Sequence, residues 1–116
     1  MSLQWCGGQT LMIRIGVIGT GLIAREHASA ISMIRESAIL VAAAEVVPEK
    51  LETFCNSFEV PRRYKSAVDL IADSEVDLVT ITTPPSAHEE LAVAALDAGR
   101  YVFCEKPLAH SVASAV

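Results

Sequence analysis

Basic residues are the minority charge in this chain. Nine Lys and Arg stand against 14 Asp and Glu, for a net charge of −5, and no basic tract gathers them. A nucleic-acid surface is therefore not expected. Long apolar runs are also missing: none reaches the roughly 18 residues that suggest a membrane span, and no leader pattern is read ahead of the first strand. Cysteine is sparse. Cys6, Cys55 and Cys104 are odd in number, far apart, and in neither CxxC nor Cys/His spacing. No disulfide framework and no zinc site is expected, and a reducing cytoplasm is. Aromatics make up only 5% of the chain. The 52% apolar content is carried instead by Ala, Val, Ile and Leu, as suits a sheet covered by helices.

What is present begins at residue 13. Ile13, Ile15, Val17 and Ile18 form the β-branched run of a parallel strand covered on both faces. Gly19-Thr20-Gly21-Leu22-Ile23-Ala24 follows, a GxGxxA fingerprint between a strand and a helix. Gly19 allows the tight turn. Gly21 removes the Cβ that would block a pyrophosphate. Ala24 lets the helix pack close to the strand. The free amides and positive end of that helix then face the phosphates.

The chain alternates from there. A helix is expected over 22–35 with an inner stripe of Ala24, His27, Ala28, Ile31 and Ile34, where His27 is a packing residue. Strand two spans 39–45. Pro48 opens a helix to about Phe58. Arg62 to Lys65 form a short third strand, and Ser66-x-x-Asp69 is a capping-box-like start for a helix through Ala72. Strand four spans 76–82 and is broken by Thr83-Pro84-Pro85. Ser86-Ala87-His88-Glu89 reads as a capping box opening a helix that buries Leu91, Ala94, Ala95 and Ala98 and stops at Gly99. Arg100 to Cys104 form strand five, and Ser111 starts a further helix.

The pattern is α/β: a Rossmann-type doubly wound parallel sheet, order 3-2-1-4-5, with right-handed crossovers. Residues 12–116 are one dinucleotide-binding domain, while residues 1–11, including Trp5, are an extension or an expression scar. Ligands of such sheets lie outside the carboxyl ends of the strands, at the switch between strands one and four. Gly19-Thr20-Gly21, Glu45, Thr83-Pro84-Pro85 and Glu105-Lys106-Pro107 should share that edge. Glu45 ends strand two where an acid accepts hydrogen bonds from the adenosine ribose. Its charge repels a 2′-phosphate, and its neighbours Val46 and Val47 supply no cation. NAD is the preferred cofactor and NADP the secondary one. Glu45 as a solvated strand end is the plainer alternative.

These blocks, with Thr83-Pro84-Pro85-Ser86-Ala87-His88 and Ala98-Gly99 through Glu105-Lys106-Pro107-Leu108-Ala109, resemble the glucose–fructose oxidoreductase / inositol dehydrogenase / MocA family from Met12 onward. The resemblance implies a nucleotide-binding domain cut before its last strand and before a second, substrate-binding domain. It implies hydride transfer on a sugar, cyclitol or related polyol, with Lys106 beside the nicotinamide as the catalytic proton-handling group. Glu105 lies near the nicotinamide ribose, Thr83 and Pro84 line the cofactor trough, and Pro107 aims Lys106. His88 either contacts the cofactor or packs on the loop. A binding-only fragment without turnover is the alternative function, and biliverdin-reductase-like or dihydrodipicolinate-reductase-like enzymes are a third. The strand-five edge with Tyr101, Val102 and Phe103 leads to an expected homo-oligomer.

Overall fold

Residues 13–18 are apolar at nearly every position because both faces of their strand are covered. In the computed structural model, which describes residues 5–6, 9–10 and 12–104, this segment is the central strand β1 (Ile13–Ile18). It pairs in parallel with β2 (Ala38–Ala44) on one side and with β4 (Leu78–Ile81) on the other. The outer strands are β3 (Arg62–Tyr64) beside β2 and β5 (Tyr101–Cys104) beside β4. The order is 3-2-1-4-5, as the alternation predicts. A separate two-residue ribbon joins Trp5–Cys6 to Gln9–Thr10.

Alternation along β1 divides the core between the two faces of the sheet. Ile15 and Val17 enter one cluster with Ala24 and Ala28 of α1 (Leu22–Ser32) and with Phe54 and Cys55 of α2 (Pro48–Phe58). Ile18 enters the other, with Leu70 and Ile71 of α3 (Ala67–Ile71) and Ala95 of α4 (His88–Asp97). Ala42, Ala43 and Ala44 of β2 are fully buried, so small side chains let helices approach the sheet closely on both faces.

Several boundaries differ from the periodicity. The first helix ends at Ser32, three residues early. There the amides of Met33 and Ile34 bond the carbonyls of Ala30 and Ile31, tightening the last turn, and Ile34 is 49% exposed rather than in the stripe. β2 begins at Ala38 and stops at Ala44, leaving Glu45 just outside. β3 stops at Tyr64, so Lys65 lies beyond it. Ser66 caps α3, accepting the Val68 amide at 3.1 Å, and Ala72 is the residue after the helix. The strand expected over 76–82 is only Leu78–Ile81, and just before it the Asp77 carboxylate takes the Arg14 amide and guanidinium.

The capping box at Ser86 does not form. Ser86 lies inside a short 3₁₀ turn, Pro85–Ala87, and α4 starts at His88 with no side-chain cap. The face of α4 is rotated accordingly. His88 and Ala95 are buried and Leu91 is half-buried, while Ala94 and Ala98 are exposed. Gly99 ends the helix region as expected, at φ 85°. His27 is half-buried, its ring 5.5 Å from that of Phe103.

Candidate dinucleotide site

The carboxyl ends of β1, β2, β3 and β4 open onto one cleft of about 400 Å³. Its floor is the glycine turn. Gly19 sits at φ 96°, a left-handed conformation that glycine tolerates. Its amide donates to the Ala44 carbonyl at 2.8 Å, and the Thr82 hydroxyl donates to the carbonyls of Ile18 and Gly19 at 3.0 and 3.2 Å. A Cβ on Gly19 would stand 2.8 Å from that hydroxyl. Gly21 differs: a Cβ there would meet nothing within 4 Å, so the approach to its backbone is open.

Gly21 is also the N-cap of α1 and offers no side-chain acceptor to the first-turn amides. Those donors are therefore available to an anion. Ala24 is completely buried, which keeps α1 tight on the sheet, whereas Leu22 and Ile23 project outward, 73% and 36% exposed.

Glu45 forms one side of the cleft. One carboxylate oxygen accepts the Thr20 amide at 3.0 Å and the Thr20 hydroxyl at 2.8 Å, and the other accepts the Val47 amide at 3.1 Å. Burial pushes its pKa up, but the Thr20 hydroxyl, the two amides and the Lys50 charge together outweigh this and hold the carboxyl below its ordinary value. Glu45 is thus an ionised, oriented acceptor and not a loose strand end.

Thr83 and Pro84 line the opposite side. The Thr83 carbonyl lies 2.5 Å from Nε2 of the buried His88. A carbonyl only accepts, so this nitrogen carries the proton. His88 therefore ties the start of α4 to the loop that carries Thr83. The Thr83 hydroxyl is buried and has no hydrogen-bond partner among the described residues. A donor left this way beside an open cleft fits a ligand that would satisfy it.

Lys50 and Lys65 also line this cleft. Val46 and Val47, the sequence neighbours of Glu45, carry no cation, and these two lysines reach the cleft from more distant positions. Lys50 comes from the first turn of α2. Lys65 follows β3, whose carboxyl end falls on the same edge, so the sheet rule by itself could have found it. Glu105, Lys106 and Pro107 lie outside the described residues. Cys104 and Cys55 have thiols pushed up by burial, which leaves them poor nucleophiles. Among the described residues no group of His, Cys, Asp and Glu is placed to hold a metal, and no helix is long and apolar enough to cross a membrane.

A doubly wound sheet with a glycine turn, an acid just after β2 and open helix amides at the switch between β1 and β4 defines a dinucleotide-binding domain. Comparison with known proteins agrees. Residues 13–116 match the Gfo/Idh/MocA oxidoreductase family, described by its NAD-binding Rossmann fold, and the chain belongs to that family. It is 40% identical over 101 residues to a myo-inositol 2-dehydrogenase of Thermotoga maritima, covering 87% of this chain and 30% of that protein. The WlbA dehydrogenase of Bordetella pertussis, solved with NADH and UDP-GlcNAcA, superposes with a TM-score of 0.80 at 32% identity, over 85% of this chain and 30% of that one. A Synechocystis biliverdin reductase, solved with biliverdin and NADP+, gives 0.77 at 37%, over 84% and 30%. The chain thus spans about 30% of the length of such relatives.

Proposed function

We propose that this domain carries the nicotinamide dinucleotide of a polyol dehydrogenase acting on an inositol or a related sugar, with NAD preferred over NADP. The observation that carries the cofactor assignment is Glu45, ionised and held against the glycine turn. In this reading the amides at Gly21 and the start of α1 bind the pyrophosphate, and Gly19 shapes the turn. Leu22 and Ile23 flank that contact on the exposed side, while Thr20 holds Glu45 and Ala24 packs α1 against the sheet. Glu45 accepts the adenosine ribose hydroxyls. Thr83 and Pro84 hold the nicotinamide end, with the Thr83 hydroxyl as donor and His88 as the brace. Glu105 binds the nicotinamide ribose, and Lys106 takes the proton from the substrate hydroxyl. When bound, the nicotinamide supplies the hydride acceptor. The substrate class is supported by the inositol dehydrogenase relatives.

Calorimetric titration of NAD and NADP against the chain tests the cofactor order. Like charge at the 2′-position should make NADP weaker by roughly tenfold, softened by Lys50 and Lys65. Equal or tighter NADP binding would show that the lysines override Glu45.

Turnover has its own test, because the relatives are about three times longer. Incubating the 116-residue chain with NAD and a panel of inositols should yield no NADH above the blank, since it matches only about 30% of such a relative's length. NADH formation that disappears in Lys106→Ala would instead show that these residues complete the reaction alone.

A further inference from the structure

Glu45 and Thr20 belong to different segments, the residue just after β2 and the glycine turn. Thr20 is only 5% exposed, and its hydroxyl donates to the same Glu45 oxygen that its own amide reaches. Two donors from one residue on one oxygen restrict the carboxylate far more than either alone. Lys50 and Lys65 line the same cleft, and Lys50 attracts the carboxylate through space.

We propose that Thr20 is a positioning residue for cofactor choice: its hydroxyl, added to the Thr20 and Val47 amides, fixes the Glu45 carboxylate against the glycine turn at the ribose position. This rests on the dinucleotide reading above. With the hydroxyl in place, Glu45 presents a fixed acceptor to a ribose 2′-hydroxyl and a fixed negative charge to a 2′-phosphate. Without it, the carboxylate keeps the Thr20 and Val47 amides but loses its shortest bond, and the weakened hold lets it lean toward Lys50. The ribose then loses an oriented partner, and a 2′-phosphate meets a neutralised one. One change in orientation therefore shifts the two affinities in opposite directions and narrows the preference for NAD.

The experiment measures dissociation constants for NAD and NADP in the wild-type chain, Thr20→Val, Thr20→Ser and Glu45→Gln, with the double variant Thr20→Val/Glu45→Gln. In Thr20→Val, NAD should weaken by about tenfold, the scale of one hydrogen bond to a charged group. NADP should hold or tighten, so the preference shrinks. Thr20→Ser should restore it, and in the Glu45→Gln background Thr20→Val should no longer change the ratio. Equal weakening of both cofactors, or no change in either, would make Thr20 merely structural and overturn the proposal. Wild-type protein that binds neither cofactor would overturn the dinucleotide reading itself. If Thr20→Val does not fold, Thr20→Ala and the Ser variant read the same ratio.

Discussion

Gly21→Val should abolish dinucleotide binding and leave the fold intact. Gly21 has φ −81° and ψ −159°, an extended conformation open to any residue, and a Cβ there meets nothing within 4 Å. Valine at this N-cap costs the helix about 1 kcal/mol or less. The space it fills is the one through which a pyrophosphate must approach the α1 amides. Wild-type protein at a hundredfold excess of NAD over its dissociation constant should gain about 2.7 kcal/mol. The variant should show no ligand-linked shift, with affinity down by about a hundredfold or more. Gly19→Val is the contrasting control. At φ 96° and 2.8 Å from the Thr82 hydroxyl, it damages the fold whether or not ligand is present. Thermal melts with and without NAD separate the two, and a Gly21→Val protein that binds like wild type would remove the pyrophosphate from this turn.

The largest expected stability effect lies at the opposite edge of the sheet. Asp77, 8% exposed, joins the entrance of β4 to β1. Its carboxylate accepts the Arg14 amide at 2.9 Å and Arg14 guanidinium bonds at 3.0 and 3.1 Å. Asp77→Ala leaves that amide without its partner and removes the guanidinium's anchor. Because Arg14 is itself 38% exposed and rehydrates, the ion-pair contribution is discounted, and the total loss should be about 2–3 kcal/mol. That corresponds to a melting point lower by roughly 10 °C.

The pH dependence has a definite sign. Burial pushes the Asp77 pKa up, but the Arg14 hydrogen bonds and charge outweigh it and hold the group below its ordinary value. Its contribution is then complete above the unfolded value of about 3.9 and is lost as pH falls through the lower folded value. Asp73, bonded by Tyr64 and Arg62, and Glu45 shift in the same direction. Wild-type stability should therefore decline on acidification below about pH 4, and less steeply in Asp77→Ala. Urea unfolding midpoints from pH 3 to pH 7 check this. An unchanged midpoint and acid slope in the variant would show that the Arg14–Asp77 link holds nothing.

The sequence by itself determined what depends on neighbouring residues. Ile13–Ile18 is a strand, Pro48–Phe58 a helix and Gly19-Thr20-Gly21 a turn because periodicity, proline placement and glycine freedom act within a few residues. The sheet order and the shared edge of Gly19, Glu45 and Thr83 followed, since handedness and strand direction leave few arrangements of such elements. Only the tertiary structure decided which side chains meet across that edge. Thr20 clasps Glu45, Lys50 and Lys65 enter the same cleft, His88 braces Thr83, and Arg14 seats Asp77. Apart from His88 and Thr83, which are five residues apart, no local pattern encodes these pairs, because each joins segments whose separation is set by the register of strands and the rotation of helices. The same holds for the rotated face of α4: a 3₁₀ turn moved its start to His88, and the packing of the chain, not the Ser86 capping signal, chose the residues it buries.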